Sequence, residues 1–208
     1  LADDPTRLID HYREIIKDRG GPGWARYGLA LARAKDRQTD RALRDMEELR
    51  AEHPQRLAYR IAHARIQRLS GDPTAAADTY RSTLELYPGN ASLVRYLAET
   101  LLEQDRAEEA RTLLRDHLRR NDSVPAFYRL LARAEGSGGN QARRDAALAE
   151  FHYRTGRTPE AIRLLRRALA TTTDQALERR WQARMEGYRQ RAMADHSPRS
   201  RPDSSDDR

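Results

Sequence analysis

The chain offers few residues whose types and spacing could do covalent chemistry. Its six histidines, His11, His53, His63, His117, His152 and His196, include no pair at i, i+4, so no helix turns two imidazoles toward one metal ion. His-Glu-x-x-His, a Gly-rich phosphate loop and a Gly-x-Ser-x-Gly elbow are all absent. Each histidine is expected as a partly exposed side chain rather than a ligand. Glu47-Glu48 and Glu108-Glu109 are sequence neighbours, which diverge on a helix, so they read as solvated surface. With no cysteine in 208 residues, thiol nucleophiles, Cys-ligated zinc, iron–sulfur clusters and disulfides are excluded together. No catalytic, metal-binding or cofactor-binding residue is expected.

Arginine has more to offer. The net charge is +7 and the pI near 10.0, values that suit nucleic acid. Yet of 39 basic residues only Lys17 and Lys35 are lysines, an imbalance that fits the codon usage of a GC-rich genome better than a binding requirement. The 32 acids are interleaved with them along the whole chain, the pattern of a solvated helical surface. The apolar share, 38%, is enough for a core. No apolar run approaches the roughly 18 residues that span a bilayer. The chain opens Leu-Ala-Asp-Asp-Pro, with neither an initiator Met nor a signal peptide, and reads as a processed or excised piece.

The elements that must position these arginines follow from an internal repeat. Ala30, Ala64, Ala98 and Ala132 are 34 residues apart, as are Ala42, Ala76 and Ala110, and Pro54 and Pro88. Met46, Tyr80 and Leu114 each stand four residues after the second alanine. Each unit reads as two amphipathic helices: first helices near 23–35, 57–70, 91–103 and 125–136, second helices near 39–52, 73–87 and 106–120. Ser70-Gly71-Asp72-Pro73 is a turn with Pro at a helix start, and Pro54 and Pro88-Gly89-Asn90 end helices. The alanines mark where paired helices approach most closely. These residues resemble the tetratricopeptide pattern W-x2-L-G-x2-Y … A-x3-F … P. Leu29-Ala30, His63-Ala64, Leu97-Ala98 and Leu131-Ala132 stand for its Leu-Gly pair, while Arg26, Arg60 and Val94 depart from its Trp, and Arg33 and Gln67 from its Tyr.

After Ala132 the next equivalent alanine, Ala149, comes 17 residues on, half a repeat. An extra helix or a slipped phase must occur there, with Gly136-Ser137-Gly138-Gly139 as a flexible connection. Helices over 140–155 and 159–171 follow, then a final helix over 174–194 with Asp174 as its N-cap and Leu177, Trp181, Met185 and Tyr188 at helical spacing. The expected fold is all-α: a tetratricopeptide-like helical-hairpin solenoid of about eleven helices over residues 5–194, closed by a capping C-terminal helix. Its hairpins fall at about 23–54, 57–88, 91–122, 125–155 and 158–194. Residues 195–208 are expected to be a disordered tail.

In stacked hairpins the first helices line a concave side. That register puts Tyr27, Arg65, Arg68, Arg95, Arg129 and Arg133 in a protein-binding groove, with Leu31, Leu69, Glu99 and Leu102 among them. Arginines there could grip carboxylates through their planar fork. Gly28, Ala62, Tyr96 and Leu130 stand where carboxylate-clamp repeats place asparagines, so a clamp for chaperone C-termini is disfavoured.

A closer resemblance rests on Ala25-Arg26-Tyr27-Gly28-Leu29-Ala30-Leu31-Ala32, Phe127–Ala134, Ala149-Glu150-Phe151-His152-Tyr153-Arg154-Thr155-Gly156 and Gln182-Ala183-Arg184-Met185-Glu186. Over about residues 5–190 these are similar to the C-terminal repeat domain of beta-barrel assembly-enhancing proteases, periplasmic zinc metallopeptidases of Gram-negative bacteria, where a half-repeat slip also occurs. The resemblance implies a periplasmic, non-catalytic module that docks on a protease domain and recruits outer-membrane proteins or their assembly machinery. Zinc is expected only in that missing domain, and no catalytic or metal residue carries over. Three other readings compete: a stand-alone tetratricopeptide scaffold of another complex, an RNA-binding helical-repeat protein using its arginines on phosphate, and, last, an enzyme.

Overall fold

A computed structural model describes residues 4–121 and 124–196. Among them are eleven helices and no strand: α1 (Pro5–Arg19), α2 (Gly23–Lys35), α3 (Thr39–Glu52), α4 (Leu57–Leu69), α5 (Pro73–Leu86), α6 (Ala91–Glu103), α7 (Ala107–Arg120), α8 (Pro125–Ser137), α9 (Gln141–Arg154), α10 (Thr158–Thr171) and α11 (Gln175–His196). None is long and apolar enough to cross a membrane. The chain divides into two compact units, α1–α7 and α8–α11, with the boundary after Arg120.

In the first unit the turns repeat as faithfully as the helices. Arg37, Gly71 and Asp105, 34 residues apart, all take positive φ (61°, 90° and 58°) where a first helix hands over to a second. The left-handed conformation costs a residue with a Cβ on the order of 1–2 kcal/mol, so Arg37 and Asp105 hold it only because the hairpins impose it. Asp72 and Asn90 cap α5 and α6 by accepting from the amides of Ala75 and Leu93 at 2.9 and 3.1 Å. Ala30, Ala64, Ala98, Ala42, Ala76 and Ala110 are all completely buried, so a larger side chain at any of them would force helices apart.

Within the first unit α1, α3 and α5 also pack on the helix that follows, α2, α4 and α6, at a fixed offset of 16 residues. Tyr12 lies over Gly28, Met46 joins Ala62 in one core cluster, and Tyr80 stacks on Tyr96 with centroids 5.7 Å apart. Helix α1 thus plays the part of a second helix, starting 34 residues before α3. Where the repeat pattern lacks its aromatic residues, polar pairs stand in. Arg26 donates to Glu52 at 2.7 Å and to Glu48 at 3.0 Å, Arg33 bonds Asp45, and Thr79 donates to Gln67 at 2.8 Å.

The second unit decides between the two expectations for residues 136–155. No helix is inserted: α9 follows α8 directly, and Gly136 and Ser137 belong to α8 rather than to a flexible connection. The phase slips instead, because α9 takes the first-helix role. Ala149 and Ala161 are fully buried and twelve residues apart, as Ala30 and Ala42 are. The ion pair Asp145–Arg167 repeats the 22-residue spacing of Arg26–Glu48 with the charges exchanged. Gly136 makes room for this: a Cβ there would press on Arg144 Cδ at 3.1 Å.

Helix α11 is capped by Asp174, which accepts from the amides of Ala176 and Leu177 at 3.0 and 3.1 Å. Trp181 and Tyr188 seat it on the α9–α10 hairpin. It extends through His196, two residues into the stretch expected to be tail; the expected disorder of 197–208 lies outside the described residues.

Candidate functional site

Contacts between first helices place α2, α4 and α6 side by side. The rings of Tyr27 and Tyr59 are 5.3 Å apart, the Arg65 guanidinium lies 5.9 Å from the Tyr96 ring, and Arg68 donates to Glu103 at 2.7 Å. Because early residues meet early ones and late meet late, the three helices run parallel. Helical spacing then fixes what each presents. Trp24, Tyr27 and Leu31 form one stripe on α2; Ile61, Arg65 and Leu69 on α4; Arg95, Tyr96 and Glu99 on α6. Of the large apolar side chains Trp24 is 54% and Leu69 59% exposed, so two of the most exposed ones flank the tyrosines and Arg65.

The arginines expected in the groove differ in what they have left to offer. Arg68 is tied to Glu103, and Arg95 donates to Glu99 at 3.1 Å while its guanidinium lies 4.1 Å from the Tyr96 ring. Arg65 is exposed, and among the described residues no carboxylate pairs with it. Burial pushes the Tyr27 phenol up, with Arg65 pulling against it. Burial likewise pushes Tyr80 up to about 12, and its hydroxyl, below the same face, has no hydrogen-bond partner among the described residues. Leu102 is buried, so it belongs to the core and not to this face.

Arg129 and Arg133 lie one turn apart on α8, in the second unit. Both are exposed, and Arg129 lies 5.9 Å from the Phe151 ring, with Arg157 5.6 Å from the same ring. The face of α9 that corresponds to Arg65 carries Glu150, to which Arg154 of the same helix donates at 2.8 Å, and α11 covers it: Tyr188 donates at 2.6 Å and Arg184 pairs at 2.9 Å. Burial opposes the charged form of Asp145, yet hydrogen bonds from Arg167 and Arg144 hold its carboxyl below the ordinary aspartate value.

Two histidines depart from their expected partial exposure. His63 is buried with Nδ1 2.8 Å from Arg50, and His117 is buried in α7. Burial and then Arg50 lower His63 below its ordinary value. Among the described residues no three of His, Asp and Glu converge as metal ligands would.

Sequence spacing selects Tyr27, Arg65, Arg68 and Arg95 and omits Trp24, while Tyr59 is buried in the core beneath them. Trp24 was findable, standing three residues before Tyr27. Nothing in the sequence distinguished the paired arginines from Arg65.

Residues 27–91 and 68–134 each match a tetratricopeptide-repeat family profile. Solved structures of similar fold include a MamA protein, at 10% identity and TM-score 0.62, covering 76% of this chain and 86% of that one. Another is MamA residues 41 to the end from Desulfovibrio magneticus RS-1, at 14% identity and TM-score 0.55, covering 91% and 98%. A third is YrrB, a tetratricopeptide protein with an unusual peptide-binding site, at 10% identity and TM-score 0.58, covering 77% and 83%. No curated protein matches the chain.

Proposed function

Since residues 27–134 carry tetratricopeptide repeats, we propose that this chain is a non-catalytic protein-interaction module that holds a partner segment on the α2–α4–α6 face. The observation that carries the reading is the exposure of Trp24 and Leu69 on the same face as Tyr27 and Arg65. Apolar side chains left in water beside an available cation are what a partner would cover. YrrB, whose fold is similar, is described by its peptide-binding site.

The finer assignment is a periplasmic module that recruits substrate or assembly-machinery proteins for an envelope zinc metalloprotease in outer-membrane protein quality control. Its partners would be outer-membrane proteins, their assembly machinery and the cognate protease domain, which alone would hold zinc. It is supported by the four resembling segments and by the phase slip at α9. The second reading, a stand-alone tetratricopeptide scaffold, is compatible with the same repeats. The reading frame separates the two: a His-Glu-x-x-His segment encoded upstream in frame selects the first, and a frame without one selects the second.

The test of the interaction role is site-specific photocrosslinking in the native host, with p-benzoylphenylalanine at position 24 or 69 and, as control, at exposed Arg44 on α3. The same protein should be captured from 24 and 69 and not from 44. Equal labelling from 44, or none from 24 and 69, would remove the assignment.

A further inference from the structure

We infer that the partner segment recognised on the α2–α4–α6 face carries a carboxylate set among apolar side chains, and that Arg65 is the group that reads it. The inference rests on the interaction role proposed above and adds the chemistry of the occupant.

Most charges of this layer are already paired. In the second unit the first-helix layer closes its own charge: Glu150 on α9 pairs with Arg184 on α11, 34 residues on, at 2.9 Å. The corresponding partner of Arg65 in the first unit is Glu99, also 34 residues on. Glu99 is instead taken by Arg95 on its own helix, at 3.1 Å. Glu103 is taken by Arg68 at 2.7 Å. Among the described residues one guanidinium therefore remains on this face without a carboxylate, and its neighbour is the Tyr96 ring. A guanidinium held beside an aromatic face keeps its planar fork free for a two-point hydrogen bond to a carboxylate.

What lies around Arg65 sets the rest of the occupant. Trp24 is 54% exposed and Leu69 59%, and Tyr27 is half-buried between the helices. A segment with apolar side chains flanking its acid covers these while its acid reaches Arg65. A nucleic acid fits poorly. Its regularly spaced phosphates would run past Glu99 and Glu103, both on the face and both negative, with a single uncommitted cation to meet them. Binding by counterion release needs several. A single carboxylate needs only the one cation.

The experiment uses the full chain, immobilised, to select from a displayed library of random twelve-residue peptides. Enriched peptides are then synthesised with their Asp and Glu intact or replaced by Asn and Gln, and their affinities read by fluorescence anisotropy. Enriched peptides should hold at least one acid next to apolar residues. Amide replacement and Arg65→Ala should each weaken binding tenfold or more and fail to add when combined, because they remove the same contact. Arg44→Ala should change nothing, and circular dichroism of both variants should match the native chain. Enriched peptides that bind without an acid, or that ignore Arg65→Ala while losing affinity on Trp24→Ala, would overturn the carboxylate assignment and leave the face a protein-binding one. A library that yields no peptide would count against the protein-binding role itself. A twenty-nucleotide RNA that binds near 100 mM salt, with a steep salt slope and sensitivity to Arg65→Ala, would overturn the assignment in favour of phosphate.

Discussion

Replacing Glu150 by alanine is expected to cost about 3–5 kcal/mol, the range for stripping one partner from a buried ion pair, and to release α11. Glu150 is only 5% exposed and accepts from Tyr188 at 2.6 Å and Arg154 at 2.8 Å, with Arg184 at 2.9 Å. Without the carboxylate, two guanidinium groups and a buried phenol must find water or remain unsatisfied. Tyr188 also stacks on Tyr153, centroids 3.8 Å apart, and Trp181 is buried alongside, so unsealing Tyr188 opens the apolar seat of α11. Glu150→Gln keeps an acceptor for the phenol but loses the charge, and should fall between. Thermal unfolding gives the magnitude and amide exchange over 175–196 the location. Burial and then the bond to Glu150 raise the Tyr188 phenol well above the ordinary tyrosine range. In Glu150→Ala one of the nine tyrosines should therefore titrate at lower pH than in the native chain. Unchanged stability with unchanged exchange in α11 would show that other contacts hold the helix.

The second large effect is expected at Gly28. A Cβ there would sit 2.8 Å from Tyr12 Cε2, 2.5 Å from Cε1 and nearer still to Cζ, distances that side chains do not tolerate. The ring could swing away only by uncovering the cluster of Ile9, Leu29 and Ala32. Gly28→Val should cost about 1–3 kcal/mol, the usual range for overpacking, and raise amide exchange throughout α1. Tyr12→Ala should cost stability by losing burial. The double variant should cost less than the two single effects added, since the valine then meets no ring. Additive losses would place the strain elsewhere.

Much of the fold was legible because the repeat is written in small residues. Ala30, Ala64 and Ala98 cannot be enlarged where helices cross, so their spacing survives in the sequence. The partners that replace the missing aromatics were not legible, since Arg26 finds Glu48 and Glu52, and Asp145 finds Arg167, only across a folded hairpin. The phase slip left a signal that spacing alone could not resolve. Trp181 and Tyr188 were legible as an apolar stripe on α11, but its closure on α9 and α10 was not. At the candidate site, spacing selected arginines by face but could not weigh them. Arg65 and Arg95 look equivalent until Glu99 is seen to side with Arg95.

The measurement closest to the central claim is amide and indole chemical-shift mapping of the isotopically labelled full chain as a library-selected peptide is titrated in. Its two tryptophans report separately, Trp24 from the α2–α4–α6 face and Trp181 from the buried side of α11. The account predicts that the Trp24 indole and the amides of Trp24–Leu31, Ile61–Leu69 and Arg95–Glu99 shift, while Trp181 and Arg44 stay in place. Shifts that spare Trp24 and Arg65 and gather on α3, α5 or α11 would contradict it.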